Sequence, residues 1–190
     1  LAKGLDPKKV VVDGVMSYPL IKICPTARIR DAAQMMINKK GRLAVFECGN
    51  MVGIITASDL IRSLPEAPET MIKVDGFITR EVETSDENET VSKVVKIMGE
   101  KRIGSVIVTS GGKPMGIFTE RDLLTAFLAK DISLNTEVGK ASSSPLIVAS
   151  LGISVHEAAK TMASKHVRRL PIVKNGKLVG IITARDLVEA

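Results

Sequence analysis

Apolar positions recur along this chain in two alternating rhythms. Stretches that are apolar at i, i+3, i+4 and i+7, the period of one helix face, are followed by pairs of short continuous apolar runs. The helical stripe reads Ile29, Ala32, Ala33, Met36, then Val91, Val94, Val95, Met98, and then Val155, Ala158, Ala159, Met162. An amphipathic helix is predicted at each of the three. Behind each stripe, two apolar runs flank a turn, most clearly Leu170–Val173, Asn175-Gly176 and Leu178–Ile182. Asn-Gly between apolar runs predicts a hairpin, because both central residues of a type I′ turn need positive φ. Gly111-Gly112 and Gly49-Asn50 are expected to make the matching turns. A short strand is predicted ahead of each helix, at Leu20–Ile23, Glu81–Thr84 and Leu146–Ala149.

The pattern is an internal repeat. Gly53-Ile-Ile-Thr-Ala-Ser-Asp-Leu60 returns as Gly116-Ile-Phe-Thr-Glu-Arg-Asp-Leu123, 63 positions on, and as Gly180-Ile-Ile-Thr-Ala-Arg-Asp-Leu187, 64 positions further. In each copy the octapeptide leaves a strand and enters a second helix at its Thr. Each unit therefore reads strand–helix–strand–strand–helix, an α+β (α/β) organisation. A unit this small buries little surface alone, so units are expected to pair.

A longer period overlies the short one. Leu1-Ala-Lys matches Leu128-Ala-Lys, and Ser17-Tyr-Pro-Leu-Ile21 matches Ser143-Ser-Pro-Leu-Ile147, whereas the first connection carries Pro65 and Pro68. The expected division is 1–13 (tail of an upstream repeat plus linker), 14–66 (repeat one), 67–130 (repeat two) and 131–190 (repeat three). Repeats two and three are expected to form a pair. Repeat one is left to pair across a homodimer or with a lost neighbour, and the absence of an initiator Met agrees with a trimmed chain.

Composition narrows the class. Apolar residues make up 45% and aromatics only 3% of the 190 residues, which predicts a folded, aliphatic core. No apolar run approaches the ~18–20 residues that span a bilayer, and no signal-peptide pattern opens the chain. Cys24 and Cys48 have neither metal-ligand nor disulfide-framework spacing, so a cytoplasmic, reducing location is expected. A formal charge of +6 favours anionic partners, whether phosphorylated small molecules or nucleic acid.

The three units resemble CBS domains, the module named after cystathionine β-synthase. The resemblance covers essentially the whole chain and rests on the Gly-hydrophobic-x-Thr-x-x-Asp segment, intact in all three copies. It implies tandem repeats paired through their sheets with pseudo-two-fold symmetry. It also implies adenosine ligands (AMP, ADP or ATP, with S-adenosylmethionine a further candidate) as regulatory ligands between repeats rather than as required cofactors. Carried onto this chain, the implied nucleotide-binding residues are Thr119, Arg121 and Asp122 in repeat two, Thr183, Arg185 and Asp186 in repeat three, and Thr56, Ser58 and Asp59 in repeat one. Thr is expected to meet phosphate at a helix N-terminus with free N–H groups, and Asp to accept ribose hydroxyls. The Arg side chains are expected to clamp phosphate, with His166, Arg168 and Arg169 reaching across to a partner unit. Ile117 and Ile181 would flank the adenine, whose edge backbone groups would read.

Each Thr-x-x-Asp also has a complete reading as a helix cap. An unliganded dimerisation scaffold and a nucleic-acid-binding protein with a basic surface are therefore the alternatives to a nucleotide sensor acting on an unidentified regulated protein. No nucleophile–base constellation, Walker loop or dinucleotide motif is present in the sequence, so no enzymatic activity is expected.

Overall fold

The computed structural model describes residues 9–39, 41–63, 70–130 and 132–190. Repeat one contains β1 (Lys22–Ile23), α1 (Ile29–Lys39), β2 (Leu43–Glu47), β3 (Asn50–Ile55) and α2 (Ala57–Ser63). Repeat two contains β4 (Thr84–Asp86), α3 (Val91–Lys101), β5 (Ser105–Ser110), β6 (Lys113–Thr119) and the turn α4 (Glu120–Asp122), which continues as a π-helix over Leu123–Leu128. A short helix, α5 (Val138–Ala141), precedes repeat three, which contains β7 (Ala149–Ser150), α6 (Val155–Ser164), β8 (Arg169–Lys174), β9 (Lys177–Thr183) and α7 (Ala184–Glu189). The strand–helix–strand–strand–helix order thus occurs three times. The expected upstream-repeat tail at Leu1–Lys3 and the Pro65–Pro68 segment lie outside the described residues.

Each repeat builds a three-stranded sheet of the same topology, a parallel first pair followed by an antiparallel hairpin, with the last strand at an edge. The bulge also recurs in register, at Val45/Phe46, Val108/Thr109 and Ile172/Val173. The first strands start two or three residues later than the sequence suggests, and in repeats two and three the residues ahead of them belong to leader segments that run over another repeat. One hairpin turn also shifts by one residue. Glu47 pairs with Asn50, so the two-residue loop is Cys48-Gly49, with φ of 48° and 85°. The positive-φ pair is Asn175-Gly176 in repeat three and Gly111-Gly112 in repeat two, as expected.

The chain divides into two compact units. The first joins the N-terminal residues through Met16 to Glu81–Ile147, and therefore to repeat two. Its core gathers Val91, Val94, Val95 and Met98 from α3, Val106 and Val108 from β5, and Phe118, Phe127 and Val138. Thr90 caps α3 by accepting a hydrogen bond from the Lys93 N–H at 3.3 Å. Ser142–Leu146 lies along the free edge of β6. Ile117 and Ser143 exchange backbone hydrogen bonds of 3.0 and 2.9 Å, and Leu146 N–H donates to the Met115 carbonyl at 3.1 Å.

The second unit joins Ser17–Arg80 to Val148–Ala190, and so holds repeats one and three. Helices α1 and α2 pack on α7, and α2 also packs on α6. Ala32, Met36, Leu43 and Leu60 form a core that Val188 of α7 helps to cover. Repeat three buries Val155, Ala158, Ala159 and Met162, the whole predicted stripe. Ser154 and Glu157 form a reciprocal capping box on α6. Hydrogen bonds from the Ser154 N–H and hydroxyl hold the Glu157 carboxyl below its usual pKa range.

Here too a leader lies on a repeat it does not enter. Thr79 and Ile181 exchange two 2.9 Å backbone hydrogen bonds, while Val74 N–H donates to Ile153 and Val155 N–H to Ile72. Val74 is thereby completely buried at the start of α6. In repeat one the stripe fails at its first position. Ile29 is exposed, because no described segment covers the start of α1 as Val74 covers that of α6.

Candidate functional site

The three strand-to-helix turns share one local geometry with different surroundings. In repeat three, Thr183 ends β9 in an extended conformation and caps α7. Its N–H and its hydroxyl both donate to Asp186 Oδ2, at 2.7 and 2.8 Å, and Asp186 N–H returns a longer contact of 3.4 Å to the hydroxyl oxygen. Repeat two repeats this with Thr119 and Asp122, at 2.8, 2.7 and 3.4 Å. In repeat one, Thr56 donates through N–H and hydroxyl to Asp59 Oδ2 at 2.9 and 2.7 Å.

This arrangement changes the expected roles. The hydroxyl proton of each Thr is given to the carboxylate, so each Thr buttresses its Asp. The helix N-terminus is also less open than its sequence suggests. Ala184 N–H donates to the Arg168 carbonyl at 2.9 Å, and Glu120 N–H to that of Gly104 at 3.2 Å. With Thr N–H and Asp N–H also engaged, the turn presents a fixed carboxylate acceptor rather than a cradle of free N–H groups.

The second carboxylate oxygen distinguishes the repeats. Asp59 Oδ1 is taken by Arg62 Nη2 at 3.0 Å. Asp122 Oδ1 receives only a long 3.4 Å contact from the Ser143 hydroxyl. Among the described residues, Asp186 Oδ1 has no hydrogen-bond partner. A carboxylate with one oxygen anchored and the other open suits a neighbouring pair of hydroxyl donors. On that measure repeats three and two are equipped and repeat one is closed on itself.

The remaining predicted residues fall as follows. Arg121, Arg185, Arg168 and His166 are exposed, Arg169 is half-buried, and Ser58, in the Arg121/Arg185 position, is half-buried. Arg185 approaches Glu189 only at 4.0 Å, a weak surface pair. His166 ends α6 with φ 54°, as Arg102 ends α3 with φ 53°, so this position first serves helix termination. Ile117 and Ile181 are half-buried beside their carboxylates, but leader segments already use their backbone groups. Those groups are not free to read an adenine edge, which leaves the side chains as the apolar contribution. Thr119 and Asp122 belong to the first unit, and Arg168, Arg169, Thr183 and Asp186 to the second.

Two functional neighbours escape a reading of motifs alone. Arg62 stands three residues after Asp59 on α2, a spacing that brings side chains together on a helix. Ser143 sits in a serine run whose proximity to Asp122 depends on a leader with no periodic signature. Among the described residues no three His, Cys, Asp or Glu side chains gather as a metal site, and no helix is long and apolar enough to cross a membrane.

The sequence model of the CBS domain matches residues 12–66, 74–129 and 137–190, and the chain belongs to the CBS domain family. It is 31% identical over 189 residues to protein MJ1225 of Methanocaldococcus jannaschii, covering 90% of this chain and 67% of that protein. It is 37% identical over 121 residues to protein MK0525 of Methanopyrus kandleri, covering 62% of each. The chain thus spans about two thirds or less of these relatives. The crystal structure of MJ1225, described as a proposed archaeal homologue of g-AMPK, superposes with a TM-score of 0.75 at 24% identity, covering 90% of this chain and 66% of that one. The CBS domain protein PAE2072 of Pyrobaculum aerophilum, solved in complex with AMP, superposes with a TM-score of 0.55 at 28% identity, covering 60% of this chain and 89% of that one.

Proposed function

We infer that this protein is a regulatory module that senses adenosine nucleotides through Asp186 and Asp122 and passes the signal to a protein partner. The observation that carries this reading is the half-satisfied carboxylate. Thr183 fixes one oxygen of Asp186 with two hydrogen bonds and leaves the other open, the arrangement needed to hold a ribose diol. Ile181 and Ile117 supply an apolar flank, and Arg185 and Arg121 supply cationic groups beside the same turns. The AMP complex of a family member supports the ligand class. Repeats two and three are the ligand-binding pair in this reading, supported by the leader of each lying on the sheet of the other. Repeat one contributes architecture, because Arg62 already occupies Asp59 and Ser58 offers no guanidinium.

The module does no chemistry in this reading. It responds because a nucleotide that binds one arrangement of the repeats better than another shifts the population toward it. Thermal unfolding with AMP, ADP, ATP and S-adenosylmethionine tests the ligand class. A true ligand at about 100 times its dissociation constant adds about 2.7 kcal/mol, and the expected result is a raised midpoint with at least one of the four. An unchanged midpoint with all four contradicts the sensor and favours the scaffold.

A further inference from the structure

The two open carboxylates differ in one neighbour, and that neighbour sits on a leader. Ser142–Leu146 is pinned along β6 without help from the Ser143 side chain. Ile117 and Ser143 exchange backbone hydrogen bonds of 3.0 and 2.9 Å, and Leu146 N–H donates to the Met115 carbonyl. The Ser142 hydroxyl donates to the Gly139 carbonyl at 3.1 Å, and the Ser144 hydroxyl to that of Met115 at 3.2 Å. Of the three serine hydroxyls, that of Ser143 alone turns to a carboxylate, Asp122 Oδ1, at 3.4 Å.

Repeat three supplies the comparison within the same chain. Thr79 holds the place of Ser143, exchanging two 2.9 Å backbone hydrogen bonds with Ile181 as Ser143 does with Ile117. Each hydroxyl residue stands five positions after a completely buried leader valine, Val74 or Val138. Yet among the described residues the Thr79 hydroxyl makes no hydrogen bond, and Asp186 Oδ1 stays open. The turns themselves match, with Thr N–H and hydroxyl to Asp Oδ2 at 2.8 and 2.7 Å in one and 2.7 and 2.8 Å in the other.

Lone pairs decide what this difference does. A carboxylate offers about four acceptor sites, two on each oxygen. Thr119 fills both on Asp122 Oδ2, so the two hydroxyls of a ribose diol must both use Oδ1. In repeat three both Oδ1 sites are open, whereas in repeat two the Ser143 hydroxyl holds one of them. Ser143 is exposed, so a displaced hydroxyl can turn to water.

We propose that Ser143 is a specificity-determining residue, whose hydroxyl competes with the ribose diol for Asp122 and holds down the adenosine affinity of that site. This rests on the reading that Asp122 and Asp186 hold ribose, and it adds the residue that sets the two sites apart. A contact of this length is expected to lower affinity about two- to fivefold.

Isothermal titration of AMP into the full chain tests it, with Ser143→Ala placed in two backgrounds. Asp186→Ala isolates the Asp122 site, and there Ser143→Ala is expected to tighten AMP binding by about two- to fivefold. Asp122→Ala isolates the other site, where Ser143→Ala is expected to change nothing. Thr79→Ala, which removes a hydroxyl with no carboxylate contact, is likewise expected to leave the Asp186 site unchanged. With 2′,3′-dideoxyadenosine monophosphate, which lacks the diol, the gain from Ser143→Ala is expected to vanish. Unchanged or weaker AMP binding on adding Ser143→Ala to Asp186→Ala overturns the proposal, as does no binding in either of those proteins. An equal gain in the Asp122→Ala background, or with the dideoxy ligand, also overturns it. Each of these outcomes leaves the sensor reading standing, whereas a wild type that binds AMP no better than the Asp122→Ala/Asp186→Ala double variant removes that reading and this inference together.

Discussion

Replacing Phe118 by alanine is expected to cost about 3–5 kcal/mol, the range for deleting a fully buried aromatic side chain. Among the described residues Phe118 is the largest completely buried side chain. It meets Phe127 edge-on with ring centroids 6.2 Å apart, a pairing that adds about 0.5–1.5 kcal/mol beyond burial. It belongs to one buried cluster with the apolar stripe of α3 and the strand residues Val106 and Val108. Chemical denaturation followed by circular dichroism measures the loss. Phe118 lies between Ile117 and Thr119, so the loss is expected to loosen the Thr119–Asp122 turn while the Thr183–Asp186 turn, in the other unit, keeps its own base.

Adding a single methyl group at Gly116 is the second large effect. The ordinary expectation for Gly→Ala at a backbone angle that alanine tolerates is a gain of about 0.4–1 kcal/mol from restricting the unfolded chain. At Gly116 the new Cβ would meet Ser142 Oγ at 2.8 Å and the Ser143 carbonyl oxygen at 2.9 Å. Overpacking of this kind costs about 1–3 kcal/mol, so the sign reverses and Gly116→Ala is expected to destabilise. Relief requires Ser142–Leu146 to lift from β6, breaking the two Ile117–Ser143 hydrogen bonds. Gly53→Ala is the control, with no described residue within 4 Å of the added Cβ, and it is expected to be neutral or slightly stabilising. Equal destabilisation at both glycines would contradict the role assigned to the leaders.

What could be read from the sequence was what repeats locally. The stripes Val91–Met98 and Val155–Met162 name their own helices, and Asn175-Gly176 names its own turn, because the cause of each lies within a few residues. The Thr-x-x-Asp turns were legible for the same reason, down to the reciprocal cap in repeats two and three. The leaders were not. Ile72–Thr79 and Ser142–Leu146 have no period, and their positions are set by backbone hydrogen bonds to strands far along the chain. The exposed Ile29 follows from this, since its burial depends on a segment that the described part of repeat one does not receive. The Thr–Asp hydroxyl bond was not legible, because a motif shows which groups are present but not where a single hydroxyl proton goes. Asp59, Asp122 and Asp186 look alike in sequence and differ only through Arg62 and Ser143.

That difference also supplies the most direct test of the central claim. Asp59→Ala, Asp122→Ala and Asp186→Ala should each cost about 1 kcal/mol of stability, because each breaks the same kind of helix cap. Their effects on nucleotide binding should separate. Losing hydrogen bonds to a charged group costs about 1.5–3 kcal/mol, or about 10- to 150-fold in affinity. Isothermal titration of AMP into the wild type and the three variants measures both sites against their internal control. The account predicts a loss of that size for Asp186→Ala or Asp122→Ala and wild-type affinity for Asp59→Ala. Equal affinity in all four proteins, or a loss confined to Asp59→Ala, would contradict it.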